Sequence, residues 1–374
     1  MRFEKYPFEK LGELLAPIRP NEAFAPLSLT IGEPQFETPR FIQEELQRSA
    51  PLLNKYPKSA GEPYLKEAVR GFVKRRFGVE LAKEELVLSF GTRELLFNFP
   101  QFLLADIEAP VMAFTNPFYQ IYEGAAIAAK AKIVYLDLTK EHNFKPVIDD
   151  RLKLADLVII NSPNNPTASV LELEELKAWV KAALEYDFVL LNDECYSEIY
   201  TAAAPPSLLE ASIAVGNEEL RNILVVNSLS KRSSAPGLRS GFVAGDSQIL
   251  QEYQRYRTYV GCAAPLPLQR AAAVAWEDES HVVQNRDRYR KNLKLAHEIL
   301  GVPIPEATFY LWLEVADDLE FTKRAYEKYN IKVLPGSFLG RKGAGRGYVR
   351  VALVYDEYKT KEALERLKEV LDGD

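Results

Sequence analysis

The feature that most narrows the folds open to this chain is a succession of short apolar runs, rich in Val, Ile and Leu. They lie at Leu86 to Phe90, Val111 to Phe114, Lys132 to Leu136, Leu157 to Ile160, Phe188 to Leu191, Ile223 to Val226 and Gly241 to Ala244. Strands buried on both faces read as near-continuous apolar stretches rather than as alternation. Several runs are separated by amphipathic stretches such as Glu172 to Tyr186, a helical pattern. Together they predict an α/β fold, a mostly parallel sheet covered by helices. At roughly 150 residues per domain, 374 residues predict one large and one smaller lobe.

From Glu279 to Leu300 the apolar positions Val282, Tyr289, Leu293, Ala296 and Leu300 recur three, four or seven apart within a highly charged stretch. That spacing predicts a long surface helix linking the lobes. Beyond it come an alternating segment, Thr308 to Val315, a helix near Phe321 to Tyr329 and the strand-like Ile331 to Leu334. A glycine-rich loop, the strand-like Tyr348 to Val354 and a closing helix after Lys359 follow. These predict a small α+β lobe to which the first forty or so residues return.

Charge and composition remove several function classes. Forty-seven basic against 53 acidic side chains leave a net charge of −6, which argues against a surface built to neutralise nucleic acid or anionic lipid. Two cysteines, Cys195 and Cys262, make no disulfide framework, and His142, His281 and His297 show no zinc spacing. The first fifteen residues carry charges throughout, and no stretch of about 18 apolar residues occurs, so a cytoplasmic protein without a membrane span is expected.

Open α/β sheets place ligands at the carboxyl ends of their strands, and four of the loops there carry chemistry. Gly91-Thr92-Arg93-Glu94 opens a helical run, where free N–H groups attract an anion; the same pair is also ordinary helix-starting punctuation. Asn161 to Thr167 holds two prolines and three asparagine amides, a rigid donor or a plain Asx turn. Asp193 ends a doubly buried run and needs a cationic partner there, such as a protonated ring nitrogen, unless it caps a helix. Tyr196 adds a phenol. Lys231, among hydroxyls and two arginines at the mouth of the sheet, has reason for a lowered pKa and hence for imine chemistry, although a Ser-x-x-Lys is frequent on surfaces. An anion cup, an amide, a carboxylate, a phenol and an amine on one sheet edge are together what pyridoxal 5'-phosphate requires.

In the order and content of these motifs the chain resembles the fold type I pyridoxal-phosphate aminotransferases, over nearly its whole length. The resemblance implies a large cofactor domain over 45–278 and a small domain from 1–44 and 279–374. It implies that Lys231 is the Schiff-base lysine, Asp193 the pyridinium partner, and Asn165 and Tyr196 the ring-oxygen donors. Arg239, Ser228 and the Thr92 and Arg93 backbone become the phosphate cup, and Tyr119 the ring that stacks on the cofactor. Tyr56 matches a tyrosine that reaches the phosphate of a neighbouring subunit, so a homodimer is implied. Arg350 resembles the fork for the substrate α-carboxylate, with the backbone of Gly32 opposite. Where the family reads Asn-Pro-Thr-Gly this chain has Ala168, which would strain a backbone of positive φ.

A finer resemblance, to the bacterial succinyldiaminopimelate aminotransferases of lysine biosynthesis, rests on Tyr6 to Leu11, Leu29 to Pro34 and Asn116 to Gly124. It implies transfer between N-succinyl-LL-2,6-diaminopimelate and 2-oxoglutarate or glutamate. Another aminotransferase of the fold or a lyase remains open, because the cofactor-binding residues do not choose which α-carbon bond breaks. A non-catalytic effector-binding domain would carry an added DNA-binding segment, and none is read here. Two further stretches are read as structural. Gly336 to Gly347 lacks the Gly-Lys-Ser/Thr ending of a phosphate loop and leads into a strand, and Arg286 to Lys291 is expected to be a solvated helix face.

Overall fold

The computed structural model describes residues 3–373. Met1, Arg2 and Asp374, which the sequence reading assigns to the small domain, lie outside the described residues. In chain order the strands are β1 (Leu27–Ser28), β2 (Leu86–Ser89), β3 (Val111–Asn116), β4 (Lys132–Asp137), β5 (Leu157–Asn161), β6 (Val189–Asp193), β7 (Ile223–Ser228) and β8 (Gly241–Gly245). After them come β9 (Tyr310–Glu314), β10 (Ile331–Lys332), β11 (Leu334–Pro335) and β12 (Tyr348–Ala352).

Seven of these form one sheet in the order β2-β8-β7-β6-β5-β3-β4. Six run the same way, and β8 pairs antiparallel with both β2 and β7. Burial on two faces explains the continuous apolar runs. Val158, Ile160, Leu190 and Val225 pack under Trp179 and Val180 of helix Leu173–Tyr186. Their neighbours Leu157, Ile159, Leu191 and Leu224 pack against Leu95, Phe99, Tyr122 and Tyr253 on the other face. Each such side chain contributes about 1.5–3 kcal/mol through burial.

The strands extend one or two residues beyond most of the expected runs, into the polar residues that begin the loops. Asn161, Asp193 and Ser228 are therefore held by ladder geometry rather than by loop geometry.

A second core gathers Leu311, Leu313, Val349 and Val351 of the antiparallel sheet β11-β12-β9 with residues of helices Ser280–Leu300, Asp318–Tyr329 and Glu357–Asp372. The N-terminal segment joins it, because β1 pairs parallel with β10. Helix Arg40–Ser49 runs through residue 44, the expected domain boundary, and packs on helix Leu266–Glu277. Among the described residues no helix is long and apolar enough to cross a membrane.

Three local expectations are revised. The run Ile331 to Leu334 is two strands, since β10 pairs with β1 while β11 pairs with β12. The strand expected from Thr308 starts at Tyr310, because Thr308 sits at φ 68°, outside the extended region. The face Arg286 to Lys291 is only partly solvated. Arg286 donates to Glu198 O at 2.9 Å and lies 3.9 Å over the Tyr200 ring, and Arg290 donates to Tyr200 O at 3.0 Å, so two charges of this face pin the long helix to the large lobe.

Candidate active site

Because six strands share a direction, the loops after β2, β3, β5, β6 and β7 open on one edge. Because β8 runs back, Arg239, which precedes it, arrives at that same edge. The chain places β4 outside β3 and then returns to β5 on the other side, so a crevice opens between the ends of β3 and β5. A cleft of about 480 Å³ lies there. The loops line it on one side, and Tyr6, Phe8, Gly32, Tyr310 and Arg350 line it on the other.

Asp193 is buried at the end of β6. Its Oδ2 accepts from Tyr122 Oη at 2.8 Å and its Oδ1 from the Cys195 backbone N–H at 3.2 Å. Burial raises the carboxyl above its ordinary range in spite of both bonds. Asn161 steadies the neighbourhood, donating to Asp193 O at 2.7 Å and accepting from the Asn165 backbone at 2.8 Å.

Lys231 stands on the single helical turn Leu229–Arg232 and donates to the Gly32 carbonyl across the cleft. Burial lowers its amine to about 8, with smaller opposed influences from Cys195 and Glu33 on one side and Arg350 and Arg93 on the other. Such an amine is partly neutral near pH 8, a condition for both imine formation and proton transfer.

Gly91 takes φ 77°, and a Cβ there would come within 2.0 Å of Arg239 Nη2. Only glycine lets the guanidinium lie against the start of helix Thr92–Leu103, where Thr92 and Arg93 present unpaired N–H groups. Among the described residues Arg239 otherwise bonds only carbonyls, Pro236 O at 2.7 Å and Phe90 O at 3.3 Å. Ser228 Oγ and Thr92 Oγ1 both reach Cys195 Sγ, at 3.7 and 3.4 Å.

From the small lobe, Arg350 donates from Nη1 to Asn165 Oδ1 at 2.7 Å and from Nη2 to Thr30 O at 2.6 Å, while its buried Nε has no partner. The first of these bonds occupies the acceptor end of the Asn165 amide and leaves Nδ2 as its donor end. Tyr196 Oη meets Tyr310 Oη at 2.9 Å, and the Tyr310 ring lies 4.5 Å below Arg350. A side chain at Gly32 would strike Tyr310 Oη at 1.8 Å, so this close approach also requires glycine.

Eleven of the twelve expected site residues thus face one cleft: Gly32, Thr92, Arg93, Tyr119, Asn165, Asp193, Tyr196, Ser228, Lys231, Arg239 and Arg350. Tyr56 does not line the cleft of its own chain and is wholly exposed. Arg93 contributes more than the backbone N–H expected of it. Its Nε donates to Tyr119 Oη at 2.9 Å and its Nη2 to Tyr6 Oη at 3.5 Å. Ala168 has φ 63°, so the expected strain is present in the Asn-Pro-Thr-Ala loop. The glycine-rich loop is held by contacts within the protein. Asn116 grips the Arg341 backbone at 2.9 and 3.0 Å, Arg341 pairs with Glu123 at 2.5 Å, and Leu339 reaches the cleft.

Sequence reasoning missed Tyr122, Tyr310, Tyr6 and Phe8. Tyr122 had a signal, since it follows Tyr119 by three on the opening turn of a helix and returns to the same side. The others arrive from the small lobe and the N-terminal segment, with nothing local to announce them.

A deep carboxylate facing an amine, with an anion cup between helix start and arginine, suits pyridoxal 5'-phosphate and defines a transferase of fold type I. The sequence profile described as "Aminotransferase class I and II" matches residues 26–367. The structure is similar to the aminotransferase AspB of Helicobacter pylori 26695, with a TM-score of 0.98 and 51% identity over 100% of both chains. The 4-dedimethylamino-4-oxo-anhydrotetracycline transaminase OxyQ of Streptomyces rimosus is 31% identical over 95% of this chain and 97% of its own. An LL-diaminopimelate aminotransferase of Aquifex aeolicus is 32% identical over 91% and 90%. The chain belongs to the class I and II aminotransferases. It is a pyridoxal-phosphate-dependent transferase of amino groups, and the cofactor supplies the electron sink on which such a transfer relies.

Without the cofactor, ionised Asp193 has no cation to offset its burial. A carboxyl raised in the folded state costs no stability below its ordinary range and a growing amount as pH climbs through the folded value, so the cost is present at neutral pH. Asp193→Asn should therefore raise the melting temperature of the cofactor-free protein at pH 7 by about 2 °C and much less at pH 4, while weakening cofactor retention. Calorimetry on stripped protein at the two pH values decides it, and a variant that melts lower at pH 7 contradicts this account.

Proposed function

We propose that this cleft exchanges an amino group between N-succinyl-LL-2,6-diaminopimelate and the 2-oxoglutarate/glutamate pair, a step of lysine and diaminopimelate biosynthesis. One observation carries the reading. Three arginines, Arg93, Arg239 and Arg350, converge on about 480 Å³, and none forms an ion pair with a carboxylate among the described residues. Arg350 is buried, Arg239 half-buried and Arg93 exposed at the cleft wall; cations left unpaired around a cleft, the buried one above all, await anions from a ligand. Arg239, at a helix start, suits a phosphate. Arg350, a planar fork on a strand, suits the α-carboxylate that every amino and 2-oxo acid presents. Arg93, held by Tyr6 and Tyr119 on the far side, is left for a second acid. The succinyl arm, 2-oxoglutarate and glutamate each end in one.

In this reading Asp193 would keep a protonated ring nitrogen charged, Asn165 Nδ2 and Tyr196 Oη would donate to the ring oxygen, and Tyr119 would cover the ring face. The Lys231 amine would hold the cofactor and, when free and neutral, would carry the proton from the substrate α-carbon. Lys231→Ala should lose the visible absorbance of the bound cofactor and at least about 10³-fold in amino transfer. If that variant kept the band and turned over amino acids, the assignment of Lys231 would fail.

The two substrate arginines separate by kinetics. Arg350→Ala should raise KM for every donor and acceptor alike. Arg93→Ala should raise it about 10–100-fold for 2-oxoglutarate and leave pyruvate nearly unchanged, as expected for loss of one charge-assisted pair. Equal losses on both oxo acids would refute the role of Arg93.

We further propose a homodimer in which Tyr56 completes the partner's phosphate cup. Leu53, Tyr56 and Tyr259 are 73%, 100% and 93% exposed, and the Ser59 to Thr258 bond at 3.3 Å ties their segments together. So much exposed apolar surface suits a second copy of the chain. Sedimentation should give twice the chain mass, and Tyr56→Phe should weaken cofactor affinity about tenfold. A fully active monomer would rule this out.

A further inference from the structure

The residues after Lys231 are held by the joint between the lobes, through contacts that the transfer itself does not use. Helix Leu266–Glu277 ends at this joint and helix Ser280–Leu300 begins beyond Asp278 and Glu279. Arg232 is buried in it. Its Nη1 donates to Ala275 O at 2.6 Å, and its Nη2 to Asp278 O at 3.1 Å and Glu279 Oε1 at 2.9 Å. Asn285 Nδ2 donates to the Arg232 carbonyl at 3.3 Å.

One residue on, Ser233 Oγ lies 2.8 Å from His281 Nε2, and His281 Nδ1 lies 2.6 Å from Asp278 Oδ1. The Asp278 carboxylate also accepts from the His281 backbone at 3.0 Å and from Ser280 Oγ at 2.9 Å. It is an acceptor throughout, so Nδ1 carries the proton and the bare Nε2 accepts from the Ser233 hydroxyl. Burial lowers the His281 pKa, and the charged groups facing the ring are Asp278, Glu279 and Arg232.

An Asp–His–Ser chain of this kind can activate a serine for acyl transfer. Ser233 cannot serve so, because it is fully enclosed and does not line the cleft. What the chain does reach is the Lys231 turn. We propose that Asp278, His281 and Ser233 are a positioning relay that fixes the turn carrying Lys231 to the joint between the lobes. A four-residue helix has one turn and does not hold itself. Its forward end is tied by Arg232 and by this relay, and Thr38 Oγ1 secures Ser234 O at 2.7 Å. Through these bonds the placement of the Lys231 amine depends on how the small lobe sits.

The inference rests on Lys231 being the cofactor lysine, and its test keeps the two apart. Cofactor-free protein is mixed with pyridoxal 5'-phosphate, and the rate at which visible absorbance appears is followed against pH. Capture needs the neutral amine, so wild type should reach half its maximal rate at about pH 8. Ser233→Ala and His281→Asn, which sever the link to the turn, should let the amine meet water. The midpoint should then rise by about one pH unit and capture at pH 7 should slow about tenfold. His281→Gln, which still presents a polar group to Ser233, should stay within about twofold of wild type. If the first two variants keep the wild-type midpoint and only melt lower, the relay is merely structural and the proposal is wrong. If Lys231→Ala captures the cofactor with an unchanged profile, the lysine assignment fails, and the relay with it.

Discussion

A half-buried amine and a buried carboxylate at one sheet edge, 38 residues apart in sequence, are the constraint from which the rest of this protein follows. Neither charge is stable there alone: burial lowers Lys231 to about 8 and raises Asp193. Both are tolerable because the strands end where they do. β6 delivers Asp193 and β7 delivers Lys231 as parallel neighbours, with Asp193 paired to Val226 in register. Ladder hydrogen bonds hold the backbone, which leaves the side chains free to be electrostatically costly.

The same economy governs the cations. Arg93, Arg239 and Arg350 bond to phenols, carbonyls and an amide, none of which neutralises their charge. A site so arranged is preorganised for anions and loses little in rearrangement when they bind. Gly91 and Gly32 make room at the two points where an arginine and a tyrosine approach the backbone most closely.

The small lobe builds part of the cleft. It supplies Arg350, Tyr310 and the β1 side, and two of the ties that join it to the large lobe flank the cleft. One is the Asn116, Arg341 and Glu123 tie beside the mouth. The other is the Arg232, His281 and Asp278 joint behind the lysine. On the proposed roles of Arg350 and the relay, substrate contact and lysine placement share one mechanical element.

Most of the large sheet, and the gathering of eleven of the expected residues around one cleft, were legible in the sequence, and the reason is physical. A strand buried on both faces must be written in apolar residues, and the polar residues that interrupt it at its end have few places to go but the edge. The types of those residues, amine, acid, amide and arginine, then specify the ligand class. Tertiary structure alone decided what depends on non-local pairing. It split Ile331 to Leu334 between two sheets, brought Tyr6 and Tyr310 across the cleft and set His281 against Ser233. No local pattern encodes such contacts, because each partner satisfies its own segment's propensities equally well without the other.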